Sequence, residues 1–462
     1  MKNMTINNIA VACHGKLKNC VNPEDKITSV IIDSRKAAPG NLFIATRGEK
    51  VDGHSFISAA VEKGVSAVVC EDEPDSVSVP YILVEDSLKA LKDIAIFYRR
   101  QINIPVIGIT GSVGKTSTKE FIAAVLKTRY NVLSTPGNKN NEIGLPLTML
   151  EIRADHEVAV LEMGINDFGE MHRLSEMARP DIAVITNIGD CHLERLGDRA
   201  GVLKAKTEIF DFLSADGHVV VNGDDALLTV LPAVNGKAPI LFGIGAENDI
   251  VAERVENLGL DGTAAKVSCK KTKKNFEIRI SLPGEHMIYS ALAAVAVGNL
   301  LGLNEMELRA GFKNLKSVPG RSFIMRLPMG TIIDDCYNAN PISMGSALRL
   351  LKRVKGRKVA ILGDMFELGA EKHKLHGLIG TEAVLAGADV LICIGTLSKY
   401  MYDAAMLAEG SECKIFYFAD KESFLQAAAD LLNAHDTVLI KASRGMAFET
   451  LVDAIKKMAV FQ

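Results

Sequence analysis

A glycine-rich stretch that begins at residue 108, GITGSVGKTSTKEF, has the residue types and spacing of a phosphate-binding loop. The Walker A spacing G-x-x-x-x-G-K-[ST] would place its first glycine at Ile109, where none stands. The match keeps the residues with a mechanistic role, Gly111, Gly114, Lys115 and Thr116. Backbone N–H groups at a helix start favour anions, while Lys and Thr there reach phosphates and Mg²⁺. We therefore predict a nucleotide site; the alternative is an ordinary glycine-rich turn.

Two further side chains stand where ligands for such a metal are expected. Glu162 ends the apolar strand of EVAVLEM, and the carboxyl ends of parallel strands share the sheet edge at which the loop lies. His192 follows the next strand, in ITNIGDCHLERLG. The alternatives are a solvated strand-end glutamate and a structural or solvated histidine.

The helical stretch GVLKAKTEIF brings Lys204 and Lys206 toward the same edge. A lysine ammonium facing Mg²⁺ would be repelled, so solvation at the surface is the default interpretation. The alternative is a lysine that carries a covalently added carboxylate, which converts a cation into an oxygen ligand.

Three polar segments end strands in the last third of the chain: IIDDCYNANPISM, ILGDMFELG and IKASRG. Dense Asp, Asn and Tyr after an apolar strand is typical of a ligand-facing loop, and an Asx-rich turn is the alternative. Three such loops at one edge predict a domain that closes over the nucleotide.

Length and patterning indicate three α/β domains, since single cores stop growing near roughly 250 to 300 residues and the chain has 462. Residues 1–102 predict a small α/β domain. Residues 103–315 have nearly continuous Val/Ile-rich strands, typical of a P-loop type, mostly parallel sheet with helices on both faces. A less apolar insert at 246–282 predicts antiparallel strands. Residues 316–462 repeat the rhythm as a doubly wound, Rossmann-like domain.

Composition narrows the class of protein. With 24% charged residues and a formal net charge of -3, no strongly basic face is implied, which argues against nucleic acid as the main partner. The eight cysteines form no C-x-x-C pair, which favours thiols in a reducing compartment over zinc or redox chemistry. The N-terminus lacks the apolar region of a secretory signal, and no run of about 18 apolar residues occurs. We expect a cytoplasmic monomer without membrane insertion.

Seven segments, in this order along the chain, resemble the Mur ligases: TGSVGKTSTKEF, TPGNKNNEIGLPLTML, LEMGINDFGEMHRL, ITNIGDCHLERLG, KAKTEIF, DDCYNANPISM and LGDMFELG. The family's loop is itself T-G-[ST]-x-G-K-[ST], so Ile109 is no departure from it. Y-N-A-N-P together with G-N-x-N-N-x-I-G-x-P resembles the branch that adds D-Ala-D-Ala. The resemblance implies ATP-dependent addition of D-Ala-D-Ala to UDP-MurNAc-tripeptide through an acyl phosphate, in peptidoglycan precursor synthesis.

The resemblance also implies roles for individual residues. Thr116 and Glu162 would hold Mg²⁺, and His192 would assist a second Mg²⁺. Lys206 would be the lysine carbamylated by CO2, and Lys115 would act with these residues in catalysis. ATP would contact the loop and three residues beyond it: Gly111, Ser112, Val113, Gly114, Lys115, Thr116, Ser117, Arg321, Asp335 and Asn338.

Substrate contacts are implied on both sides of the cleft. DSRKAAPGNLFIATRGEKVDGHSFI looks like the family's UDP-binding signature, with Asp52 and His54 as contacts or scaffold. The expected substrate-binding residues are Ser34, Arg35, Gly48, Asn138, Asn140, Asn141, Tyr337 and Asn340. The third residue of the tripeptide, meso-diaminopimelate or lysine, stays open.

One segment departs from the family pattern. Where G-x-H-N-x-x-N-A-L-A-A is usual, the chain reads GEHMIYSALAA, with Met287 and Ser290 at the asparagine positions. Asparagine can recognise adenine with a donor and an acceptor, whereas serine offers one hydroxyl and methionine no donor. We expect Ser290→Asn to tighten ATP binding.

Two other functions are the alternatives to this interpretation. A related ligase that adds meso-diaminopimelate or lysine would carry a D-N-P-R type motif where Y-N-A-N-P stands; a folylpolyglutamate synthase is a further relative. A nucleotide-binding protein without turnover would be expected to lack Glu162, His192 or Lys206, and all three are present.

Overall fold

The computed structural model describes residues 1–48, 51–75, 77–408 and 412–462. Its strands form three sheets on which helices pack, which confirms the predicted three-part α/β architecture. Two residues of the string that resembles the UDP-binding signature, Glu49 and Lys50, lie outside the described residues. No helix in the described ranges combines the length and apolar character that a membrane crossing requires.

The first sheet has five strands: β1 (Lys16–Lys18), β2 (Ser29–Ile31), β3 (Asn41–Ile44), β4 (Ala67–Cys70) and β5 (Tyr81–Leu83). Its order is β1-β5-β4-β3-β2, parallel except for β1. The accompanying helices are α1 (Ile6–Ala12), α2 (Ile57–Glu62) and α3 (Ser87–Arg99). The carboxylate of Asp86 caps α3 by accepting from the backbone N–H of Lys89 at 2.9 Å.

The central sheet has nine strands: β6 (Val106–Thr110), β7 (Val132–Ser134), β8 (Val158–Glu162), β9 (Ile182–Ile185), β10 (His218–Asn222), β11 (Ile240–Gly243), β12 (Ile250–Asn257), β13 (Thr263–Cys269) and β14 (Lys274–Ile280). Their order is β14-β13-β12-β11-β10-β9-β6-β8-β7. Its helices are α4 (Lys115–Leu126), α5 (Gly144–Met149), α6 (Glu170–Ala178), α7 (Leu193–Leu196), α8 (Arg199–Thr207), α9 (Ala226–Thr229), α10 (Met287–Leu300) and α11 (Glu305–Lys313). β12, β13 and β14 pair antiparallel, as the alternating insert predicts.

The third sheet has six strands: β15 (Phe323–Leu327), β16 (Gly330–Asp334), β17 (Lys358–Gly363), β18 (Val390–Ile394), β19 (Lys414–Phe418) and β20 (Thr437–Lys441). Their order is β15-β16-β20-β17-β18-β19, and β15 alone is antiparallel to its neighbour. Its helices are α12 (Pro341–Lys352), α13 (Lys372–Leu385), α14 (Ser398–Met406), α15 (Lys421–Leu431) and α16 (Glu449–Ile455). Short 3-10 helices span Ser34–Lys36, Gly53–Phe56, Glu208–Phe210, Gly259–Asp261, Gly369–Glu371, Arg444–Met446 and Ala459–Phe461.

The middle strands of the central sheet bring the predicted site residues to one edge of the sheet. Every residue of β6, β8 and β9 is buried, because helices cover both faces. The parallel register pairs Ile109 with Glu162 and Thr110 with Ile185. The phosphate-binding loop, the glutamate at the end of β8 and the segment after β9 therefore leave the sheet side by side.

Buried contacts join the first sheet's helix to the central unit. The Tyr98 hydroxyl donates to the Ile152 carbonyl at 2.7 Å, and Arg99 Nε donates to the Ala178 carbonyl at 2.8 Å. Both side chains are nearly fully buried on α3. This helix consequently fixes the first domain against α5 and α6 of the second.

Candidate active site

The glycine-rich loop between β6 and α4 is held by the segment that follows β9. Backbone N–H groups of Ser112 and Val113 donate to the carbonyl and side-chain oxygens of Asn187, each at 3.0 Å. Thr186 Oγ1 donates to the Val113 carbonyl at 2.6 Å. With those two N–H groups already bonded, the donors left for an anion are at the start of α4, from Gly114 onward.

Gly111 is the loop position at which a side chain fits least. Its φ of +145° lies in a region that L residues rarely adopt, and an added Cβ would collide with Thr186 Oγ1. We expect Gly111→Ala to weaken ATP binding about fivefold or more, since such strain costs about 1–3 kcal/mol. Calorimetry with Mg·ATP measures the effect. Gly236→Ala is the control for the conformational cost, because Gly236 has a φ of +75° in open space; equal ATP binding by Gly111→Ala and wild type would contradict the prediction.

Lys115 and Thr116 open helix α4 beside the third domain. Lys115 Nζ donates to the Gly111 carbonyl at 2.8 Å, and burial lowers the pKa of its ammonium. Thr116 Oγ1 accepts from Arg321 Nη2 at 3.2 Å. The Arg321 guanidinium also lies 3.9 Å from the ring centre of Tyr337. Arg321 therefore bridges the loop and the third sheet at the place where the sequence predicts phosphate contact.

Glu162 is buried with one oxygen satisfied and one not. Its Oε1 accepts from Asn140 Nδ2 at 2.7 Å, while its buried Oε2 has no hydrogen-bond partner among the described residues. An unpaired buried carboxylate oxygen is costly unless a ligand satisfies it. This oxygen fits a hard cation, with the hydroxyl of Thr116 as a further donor.

Lys206 is 1% exposed on α8, and its side chain forms no hydrogen bond or ion pair with any described residue. Burial, with a smaller contribution from the Lys115 ammonium, lowers the pKa of Lys206 to about 8. Solvation at the surface, the default interpretation of this lysine from sequence, is wrong; it fits the neighbouring Lys204, which is exposed. A buried amine without a counter-charge, close to a lysine of the phosphate-binding loop, is instead suited to carboxylation.

Within the described ranges, no group of three or more His, Cys, Asp and Glu side chains could hold a metal ion. The residues at this sheet edge nevertheless fit Mg²⁺. The expected ligands include a threonine hydroxyl and a modified lysine, and neither belongs to the four residue types of that group. His192 adds a ring nitrogen and lies 2.6 Å from Glu367 of the third domain, measured from Nδ1 to Oε2.

These residues line one cavity of about 760 Å³ between the central and third sheets. Of the predicted site residues, those that line it are Ser112, Val113, Gly114, Lys115, Thr116, Ser117, Asn140, Asn141, Glu162, His192, Arg321, Asp335, Tyr337, Asn338 and Asn340. Three predicted residues of the central domain are not among its lining residues: Gly111, Asn138 and Lys206. The predicted substrate-binding residues of the first domain, Ser34, Arg35 and Gly48, do not line this cavity either.

Some of the predicted third-domain side chains are bonded within their own domain, and others face the cleft. Asp335 pairs with Lys441 at 2.6 Å and accepts from the Ser322 backbone at 2.8 Å, so its carboxylate is already satisfied. The Asn340 side chain caps α12 by accepting from the Ser343 N–H at 2.9 Å. Two guanidinium groups lie near the Tyr337 ring, that of Arg321 at 3.9 Å and that of Arg444 at 5.5 Å from the ring centre.

The predicted residues of the first domain have local partners. Arg35 forms two hydrogen bonds with Asp33, each at 2.9 Å, and is largely exposed. His54 joins Asp52, 2.7 Å from Nδ1, to the backbone N–H of Glu71, 2.8 Å from Nε2, which is a scaffold role. Beyond this domain, Asn141 Oδ1 accepts from Gly144 N at the start of α5.

Sequence reasoning did not single out Asn187, which holds the loop, or Lys441, which neutralises Asp335. Both stand in strand-end segments already identified, ITNIGDCHLERLG and IKASRG. Their location at strand ends could therefore have identified them as candidates. Their partners could not have been predicted, because each contact joins residues that follow different strands.

Ser290 and Met287 lie at the cleft end of α10, and both are buried. Ser290 Oγ is 3.0 Å from Thr118 Oγ1 on α4, so the serine hydroxyl joins two helices. An asparagine could keep this contact and present a second polar atom to a base.

We therefore retain the prediction that Ser290→Asn tightens ATP binding, by about fivefold or more if one base contact is gained at about 1 kcal/mol. Calorimetry with ATP and GTP tests both affinity and base selectivity. Ser290→Ala, which removes the Thr118 contact without adding a donor, is the control. An unchanged ATP dissociation constant in Ser290→Asn would count against the prediction.

The phosphate-binding loop, the sheet edge and the cavity between the second and third domains are typical of a nucleotide-dependent ligase, and the chain belongs to the Mur ligase family. Family models match in three consecutive parts: the Mur ligase family catalytic domain over residues 26–108, the Mur ligase middle domain over 109–298 and the Mur ligase glutamate ligase domain over 320–444.

Similar proteins include ligases named for the addition of D-alanyl-D-alanine. The chain is 37% identical over 455 residues to the UDP-N-acetylmuramoyl-tripeptide--D-alanyl-D-alanine ligase of Bacillus subtilis, covering 97% of each chain. It superposes on a crystal structure of MurF from Acinetobacter baumannii with a TM-score of 0.90 at 29% identity. The match covers 98% of this chain and 99% of the Acinetobacter chain. The MurF ligase of Thermotoga maritima, solved in complex with ADP, gives 0.80 at 29% identity, covering 93% and 97%.

Proposed function

We propose that the chain is an ATP-dependent ligase that joins D-Ala-D-Ala to UDP-MurNAc-tripeptide in peptidoglycan precursor synthesis, in the cytoplasm. The observation that carries this proposal is the cavity in which the phosphate-binding loop, Glu162 with its unpaired oxygen and the Y-N-A-N-P loop face one another. The full-length similarity to the D-Ala-D-Ala ligase of B. subtilis supports the choice of substrates.

The three domains have separate tasks in this proposal. Residues 1–102 bind the UDP-sugar, with Ser34, Arg35 and Gly48 among the contacts. Residues 103–315 bind ATP on the loop. Residues 316–462 close on ATP and the dipeptide, which excludes water from a reactive acyl phosphate.

In the first step, the terminal carboxylate of the tripeptide attacks the γ-phosphate of ATP, and ADP leaves. Two anions must meet, so Lys115 and Arg321 neutralise charge on the phosphates. The remaining N–H groups at the start of α4 hold the phosphate chain, since those of Ser112 and Val113 are bonded to Asn187. In the second step, the dipeptide amine attacks the acyl carbonyl, its proton is lost and phosphate leaves.

Thr116 and Glu162 would hold one Mg²⁺, with His192 and a carbamylated Lys206 toward a second; these ions would neutralise the transferred phosphoryl group and align it. The orphaned Glu162 oxygen supports the first assignment. Lys206 supports the second, because a pKa of about 8 leaves part of the amine neutral near neutral pH, and the neutral amine is the form that combines with CO2.

Phosphate release from ATP, UDP-MurNAc-tripeptide and D-Ala-D-Ala tests the proposal. Release must require all three, and meso-diaminopimelate, lysine or glutamate must fail to replace the dipeptide. Starting from an ¹⁸O-labelled tripeptide carboxylate, one label must appear in phosphate. Release supported by a single amino acid would assign a related ligase, and no release with any amine would leave a nucleotide-binding protein.

A further inference from the structure

Glu367 of the third domain lies against His192 of the second domain. It stands in the loop after β17, and its Oε2 lies 2.6 Å from His192 Nδ1. The Glu367 side chain is 55% exposed and that of His192 20%. Neither step of the proposed reaction uses this carboxylate, although it touches a residue at the metal side of the cleft.

The loop that carries Glu367 is held on its own domain by buried groups. Asp364 Oδ1 accepts from the Ser398 backbone and hydroxyl, both at 2.7 Å. The next two N–H groups donate to buried side chains, that of Met365 to His376 Nε2 and that of Phe366 to Ser443 Oγ, each at 2.9 Å. The third domain therefore determines where Glu367 is presented.

Both partners have a left-handed backbone, with φ values of +63° at Glu367 and +52° at His192. Residues other than glycine adopt this conformation uncommonly, although Asn, Asp and His do so more often than the rest. Next to them the two domains are in backbone contact, since a Cβ built on Gly369 would lie 3.4 Å from Glu194 Cα. The contact between the two side chains is therefore accompanied by close approach of the two loop backbones.

A histidine that binds a metal through one ring nitrogen commonly donates the other N–H to a carboxylate, which fixes the tautomer and the ring orientation. His192 Nδ1 is buried 2.6 Å from Glu367 Oε2, although the present angle does not make this contact a hydrogen bond. The His192 side chain also lines the cavity, so Nε2 is the ring nitrogen not placed against Glu367. We propose that Glu367 is a positioning residue: it accepts a hydrogen bond from His192 Nδ1–H and so aims Nε2 at the metal site only when the third domain lies against the second. This inference rests on the proposed function, and it couples domain closure to completion of the metal site.

The test compares Glu367→Ala and Glu367→Gln with wild type, and Glu371→Ala is the matched control. Glu371 follows the same loop, is exposed and pairs only with Lys374 at 2.9 Å among the described residues. Two quantities are measured: the Mg²⁺ concentration for half-maximal phosphate release, and the KM for D-Ala-D-Ala. We expect Glu367→Ala to raise the first about 10- to 100-fold and leave the second within about twofold. Glu367→Gln retains an acceptor and should fall between Ala and wild type.

The second readout needs no turnover. Imidazole ¹⁵N spectra of the metal-free full chain, with the His192 signal assigned by its absence in His192→Gln, report which ring nitrogen carries the proton. We expect the Nδ1–H form in wild type, in Glu367→Gln and in Glu371→Ala, and its loss in Glu367→Ala. A wild type without D-Ala-D-Ala ligase activity would overturn the proposed function, while these spectra would still decide the role of Glu367.

Two outcomes would overturn the inference. One is an unchanged tautomer and Mg²⁺ requirement in a folded Glu367→Ala. The other is a raised KM for the dipeptide with an unchanged Mg²⁺ requirement, which would assign Glu367 to the incoming ammonium group instead.

Discussion

Lys206→Met abolishes phosphate release and yields a chain that is more stable than wild type at pH 7: this is the expected result with the largest effect. Methionine keeps the length of the buried side chain but cannot be carboxylated. The Lys206 ammonium, which the methionine replaces, is buried without a partner among the described residues. An isolated buried charge is unfavourable. Loss of activity with a gain of stability would separate a catalytic role from a structural one.

The stability gain should depend on pH in a defined direction. The pKa of Lys206 falls from 10.5 to about 8 on folding, which corresponds to about 3 kcal/mol at about 1.4 kcal/mol per pK unit. Below pH 8 the lysine is protonated in both states and the whole penalty applies. Between pH 8 and 10.5 the unfolded chain binds more protons, so wild-type stability rises with pH. The advantage of Lys206→Met should therefore shrink across this window, as denaturant unfolding in CO2-free buffer would measure.

Two additions sharpen this experiment. Bicarbonate should stabilise wild type and not Lys206→Met, because only the amine can form a carbamate. Short-chain carboxylic acids should partly restore turnover in Lys206→Ala, where the side chain leaves room. Lys204→Met is the matched control on the same helix, since Lys204 is exposed. Full activity in Lys206→Met would remove the carbamate from the mechanism.

Glu162→Gln should lower turnover about 10³-fold or more while the fold is kept. The glutamine Oε1 can still accept from Asn140 Nδ2, as the carboxylate does at 2.7 Å. The anionic charge beside the phosphates is lost, and with it a hard oxygen ligand for Mg²⁺. Steady-state phosphate release gives the first effect, and calorimetry of nucleotide binding with and without Mg²⁺ gives the second. The variant should bind free ATP normally and lose the contribution of the metal.

Glu162 also favours the charged form of Lys115, so its removal should lower the already depressed pKa of that lysine further. As pH rises, the residual turnover of Glu162→Gln should therefore begin to decline at a lower pH than the turnover of wild type. Glu151→Gln is the control, because this exposed glutamate pairs with Lys139 at 3.4 Å outside the cleft. Wild-type turnover in Glu162→Gln, or an unfolded variant, would contradict the prediction.

For the Y-N-A-N-P loop of the third domain, the sequence predicts the location but not the hydrogen-bond partners of its polar side chains. Y-N-A-N-P lies in the cleft, as the strand-end pattern predicts. Its polar atoms are partly engaged: Asn340 caps a helix whose first residue is Pro341, a pattern that the sequence N-P-I-S already contains. Asp335 has Lys441 as its partner, which lies 106 residues further along the chain and cannot be paired from local sequence.

The sequence by itself determined the features that depend on neighbouring residues. The loop from Gly111 to Thr116 is one, since its glycines, lysine and threonine lie within a single strand-to-helix turn, although Asn187 from the segment after β9 holds its backbone. The three sheets are another, because apolar periodicity reports burial and burial selects the layer architecture.

Only the tertiary structure decided the state of the charged groups. Lys206 and Lys204 have equivalent chemistry in the sequence, yet packing buries one and exposes the other. The free oxygen of Glu162 and the contact between His192 and Glu367 also exist only after distant segments meet. Desolvation and ion pairing depend on through-space distance and dielectric environment, which no local pattern of residues contains.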